Sequence, residues 1–141
     1  MVFNTEQRRF PGSCKKTIHQ AVAGGFSMEL VMADRAWVFD RLKHSLQLLA
    51  APSDVQLRVV PAFGYRADEL FLSFDHWRAK LLGNFHSELA ANQLSCLDSL
   101  QEIFVQMGHE CWTDTGVHDS VEWRRVRQLS DQALRAFGWV N

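Results

Sequence analysis

The stretch from Met28 to Ala50, "MELVMADRAWVFDRLKHSLQLLA", constrains the fold more than any other part of the chain. Val31, Val38, Leu42, Leu46 and Leu49 recur at intervals of seven, four, four and three residues, and Leu30, Ala33 and Trp37 widen the same stripe. That period belongs to one face of an α-helix, because side chains three and four apart stack along it, whereas a strand turns over at every residue. Asp34, Arg35, Arg41, Lys43 and Gln47 fall largely on the other side. Pro52 ends the run, since Ala51, the residue before it, is pushed out of the helical region. A helix with one apolar stripe must have that stripe covered, so the remaining chain has to supply partners.

Three further segments read as such partners. "ADELFLSFDHWRAKLLG", 67–83, carries Leu70, Phe74, Trp77 and Leu81 at helical spacing, with Asp68 as the expected N-cap. Leu70, Leu72 and Phe74 also alternate as a strand would, but the helical match extends over more residues. Phe85, Leu89, Cys96, Leu100, Phe104 and Met107 mark a helix ending at Gly108, with Gly83 and Asn84 as a break or a weak point before it. "DSVEWRRVRQLSDQALRAFG" opens with Asp119 and Glu122 in a capping-box arrangement and closes on Gly138 as C′ residue. Its apolar face is Trp123, Val126, Leu129, Ala133 and Phe137, and Asp131 with Arg135 forms an i,i+4 ion pair outside.

The segment "DVQLRVVPAFGY", 54–65, breaks the pattern. Val55, Leu57 and Val59 alternate with Gln56, Arg58 and Val60, and Pro61 has no N–H to give a ladder. This predicts a short extended segment at about 55–60, as an edge strand or laid over the helices. The expected fold is therefore mainly α: a small bundle of about four helices with that one extended segment and a loosely attached N-terminal arm.

The arm is residues 1–27, which hold Pro11, Gly12, Gly24 and Gly25 and show no sustained period. A second reading makes 1–27 a translated leader, because "GGFSM" can be encoded with a ribosome-binding purine run just upstream of Met28. Residues 28–141 are the single helical domain, and 141 residues suffice for a core without a disulfide or metal staple. Hydrophobic residues at 47%, with ten Phe and five Trp, point to a packed globule, and three Pro with eight Gly are few for an all-β chain. Cys14, Cys96 and Cys111 are scattered, with no CxxC, which suits a reducing compartment. No apolar run is long enough for a membrane span, and the N-terminal residues lack a signal-peptide core, so the expected location is the cytoplasm.

Charge narrows the function. Residues 1–27 carry four basic side chains against one acidic, a net of +3, while 28–141 carry eleven against fifteen, a net of −4. The main body therefore does not attract nucleic acid or acidic membrane as a whole. "EWRRVR", 122–127, would be the basic face of a recognition helix through Arg124, Arg125 and Arg127, but the connection before it is longer than helix-turn-helix motifs use. No phosphate-cradling glycine motif is present.

"GHECWTDTGVHD", 108–119, concentrates metal-ligand and proton-transfer side chains. His109, Cys111 and His118 are the ligand types for zinc or iron, with Asp114 beside them and Glu110, Cys14 or His19 as a fourth. Their spacing matches no established metal motif. The competing reading spends Asp119 as a cap, leaves His118 on the surface and tucks Cys111 and Trp112 into the core. Cys111 as a nucleophile with His109 or His118 would lack both a rigid scaffold and an oxyanion hole. His76 and His86 read as boundary residues with wet tips.

The dense aromatics point to contact surfaces, because tryptophan and arginine are enriched where proteins meet. Trp139, beyond the last helix stop, Trp123, Arg124 and Arg127 are the expected partner-binding residues. The sequence thus predicts a non-catalytic interaction module, regulatory or accessory, acting on a protein partner or a second copy of itself. The alternatives are a metal protein using 109–118 and, less favoured, a nucleic-acid binder using the last helix.

Overall fold

A computed structural model of the chain describes residues 23–60 and 66–140, with side chains from residue 34 onward. The described residues form six α-helices and no strand: α1 Ala23–Ala50, α2 Ser53–Val59, α3 Arg66–Phe85, α4 Ala91–Gln106, α5 Asp114–Asp119 and α6 Val121–Ala136. Short 3-10 turns at His86–Glu88 and His109–Trp112 precede α4 and α5. Two compact units divide within α1, Met1–Ala36 and Trp37–Asn141. Of the first, only the helical stretch from Ala23 is described; the expectation of an arm lies otherwise outside the described residues. No helix among the described residues is long and apolar enough to cross a membrane.

The second unit is built on the stripes expected from the sequence. Val38, Leu42, Leu46 and Leu49 of α1, with Leu70, Phe74 and Leu81 of α3, are almost entirely removed from solvent. Leu97, Leu100 and Phe104 of α4 join Trp123, Val126, Leu129 and Ala133 of α6 in the same core. Each fully buried leucine or valine contributes on the order of 1.5–3 kcal/mol relative to exposure. The α4 and α6 helices run antiparallel: Gln93 at the start of α4 donates to the carbonyl of Ala136 at the end of α6 at 3.3 Å.

The extended segment expected at 55–60 is instead a helix, α2, and the reason is a buried glutamine. Gln56 is wholly buried, and its amide nitrogen donates to the carbonyls of Leu48 at 3.1 Å and Leu49 at 2.9 Å. Those carbonyls belong to the last turn of α1, where the i+4 donors are lost: position 52 is a proline, and Leu48 has only a tighter bond from Ala51 N–H at 3.2 Å beside the glutamine. Satisfying them turns a polar residue inward and Val59 outward, 55% exposed, which inverts the alternating pattern. Pro52 accepts from the N–H of both Val55 and Gln56 at 3.0 Å and starts the helix.

Several boundaries also move. The α3 helix begins at Arg66, so Asp68 lies in its first turn and favours the positive helix end by charge rather than as N-cap. It runs through Gly83 to Phe85, so the glycine does not break it. Ser120, not Asp119, caps α6: its hydroxyl accepts from the N–H of Trp123 at 3.1 Å. Gly108 does not take the left-handed C′ conformation; its φ is −76°. Gly138 does, with φ +74°. There Trp139 N–H donates to Leu134 and Gly138 N–H to Arg135, at 2.8 and 3.0 Å, the paired bonds of a Schellman stop.

Candidate functional site

The 108–119 stretch is more ordered than a plain connection. Cys111 N–H donates to Gly108 at 3.0 Å, closing the 3-10 turn, and the Thr113 hydroxyl accepts from Gly116 N–H at 2.9 Å to cap α5. Gly116 is required by proximity: a Cβ there would stand 2.5 Å from the carbonyl oxygens of both Glu110 and Cys111. The fully buried Trp123 donates its indole N–H to the Cys111 carbonyl at 2.9 Å, which fixes the turn to α6. Trp112 packs with Phe71 at 5.7 Å, Phe104 at 6.1 Å and Trp123 at 6.3 Å between ring centres.

This geometry separates the metal candidates. Cys111 points into the core, 1% exposed, while His109 and His118 are exposed. Among the described residues, no three His, Cys, Asp or Glu side chains are grouped to hold a metal ion. Burial pushes the Cys111 thiol up from its ordinary pKa, and the carboxylates of Glu122 and Glu110 push it further, so the site keeps a neutral thiol. His118 is engaged by α2 instead: its Nδ1 lies 2.6 Å from the Ser53 hydroxyl. That pair opens onto a shallow cleft lined by Asp54, Leu57, Asp114, Thr115 and Asp119. Arg66 at its edge donates to the Leu57 carbonyl at 3.0 Å and pairs with Asp114 at 3.7 Å.

The arginines of α6 divide by role. Arg127 is half-buried and donates to Gln56 Oε1 at 3.1 Å and to the Val117 carbonyl at 3.0 Å, joining α6 to α2 and α5. Burial, and then the neighbouring Arg124, lower its pKa from the ordinary value. Arg124 is exposed and donates to the Asp119 carbonyl at 3.4 Å. Arg125 reaches Gln128 at 3.4 Å. The three do not form one free cationic face.

Trp123 and Trp139, expected to contact a partner, sit differently from that expectation. Trp123 has no exposed surface and works as the core residue of α6. Trp139 is half-buried, stacked on Phe137 at 4.5 Å with an interplanar angle of 11°, and meets Phe39 edge-on at 6.4 Å. The Schellman stop aims it back at the core. Its hydrophobic surface closes the end of α6.

A different tryptophan is exposed. Trp37 of α1 keeps 52% of its surface in solvent and stands edge-on to Trp77 of α3, with ring centres 4.9 Å apart and planes at 84°. The Arg41 guanidinium lies 5.6 Å from the centre of the Trp77 ring, and His76 meets that ring at 4.6 Å, nearly perpendicular. Edge-to-face pairs of this kind are worth about 0.5–1.5 kcal/mol beyond area burial and fix ring orientation. Leu72, 51% exposed, lies one turn before His76 on α3. The sequence placed Trp37 on the buried stripe of α1, and no local spacing signals its exposure, because the Arg41 guanidinium stands over Trp77 of α3 and not over its own helix neighbour Trp37.

The fold and these sites define a small all-helical unit with a held, half-exposed aromatic face. Comparison with protein-family models, with curated proteins and with solved structures finds no match to this chain.

Proposed function

We propose that this chain is a small cytoplasmic interaction module, regulatory or accessory rather than catalytic, that binds a protein partner or a second copy of itself through the face centred on Trp37. The observation that carries this reading is the half-exposed Trp37 ring, held edge-on against Trp77, whose own ring lies under the Arg41 guanidinium. Tryptophan and arginine dominate the binding energy of protein interfaces. A ring already fixed by its neighbour loses less rotamer freedom on docking, so more of its contact energy survives as affinity. Nothing comparable supports the zinc or iron alternative. The nucleic-acid alternative is weakened by Arg127, which is half-buried and directs its Nη1 donors inward to Gln56 and Val117.

The test compares the full chain with its Trp37→Ala variant. Binding is read by light scattering across concentrations for self-association, and by quantitative co-purification from the native host for other partners. Loss of a central tryptophan costs about 2 kcal/mol or more, so affinity is expected to fall about thirtyfold with the helical circular dichroism unchanged. Equal binding by both proteins overturns the assignment of this face.

A further inference from the structure

We draw no further inference here: the strongest candidate, the shallow cleft of about 320 Å³ between α2 and α5 where Ser53 meets His118 beside Asp54, Asp114 and Asp119, is an acidic cluster around an exposed serine–histidine pair, and no second observation among the described residues points to a ligand for it.

Discussion

At the residue scale, two positions show how contacts decide what a side chain can be. Gly116 sits where any Cβ would press on two backbone oxygens, so Gly116→Ala forces the His109–Trp112 turn to move. Overpacking of this kind costs about 1–3 kcal/mol. Gly83 is the matched control: it lies inside α3 with nothing within 4 Å of a built Cβ. Gly83→Ala should stabilise by about 0.5–1 kcal/mol, because glycine loses more backbone entropy in a helix. Urea unfolding of the two variants is expected to shift in opposite directions, and a common direction contradicts the placement of Gly116. Cys111 supplies a pH test. Its folded-state pKa is raised, so its contribution is complete below the unfolded thiol value of about 8.5 and is lost as pH rises above it. Unfolding free energy should therefore decline with alkaline pH, and less steeply in Cys111→Ala. Parallel pH profiles for the two proteins would refute the buried, carboxylate-flanked thiol.

At the element scale, the long helices were legible and the short ones were not, for a physical reason. The α1, α3, α4 and α6 helices each bury a sustained stripe, such as Leu42, Leu46 and Leu49 or Trp123, Val126 and Ala133, and a stripe is what periodicity detects. The α2 helix has seven residues, too few to average over, and its inward residue is the polar Gln56. Its conformation answers carbonyls eight and seven positions upstream, a requirement no local pattern displays. The α5 helix, six residues long, buries only Gly116 and Val117, so it read as part of a connection. The hydrogen-bonded chain from Leu48 and Leu49 through Gln56 to Arg127 and Val117 makes a prediction at this scale. Gln56→Leu should destabilise by about 1–3 kcal/mol, since it takes a buried hydrogen bond from the Leu49 carbonyl and an acceptor from the half-buried Arg127 guanidinium. A double-mutant cycle with Arg127→Met is expected to be non-additive, by more than about 0.5 kcal/mol. Additive losses would mean the two residues act independently.

At the scale of the whole molecule, the class of fold was readable while the site was mostly not. Cys111 and Trp112 in or against the core and the capped end of α6 followed from their neighbours in sequence. The aromatic face did not, because Trp37 at helical spacing is indistinguishable from a core residue until α3 places Trp77 beside it. Exposure depends on where other helices stop, and that is a tertiary fact. The proposed role rests on this face being used, and the most direct measurement is photo-cross-linking in the native host. A photoreactive residue replaces exposed His44, seven positions along α1 from Trp37, and a control replaces exposed Gln132 on α6. Our account predicts one discrete protein adduct from position 44, absent from position 132 and lost when Trp37→Ala is added. Adducts that persist without Trp37, or none from position 44, would contradict it.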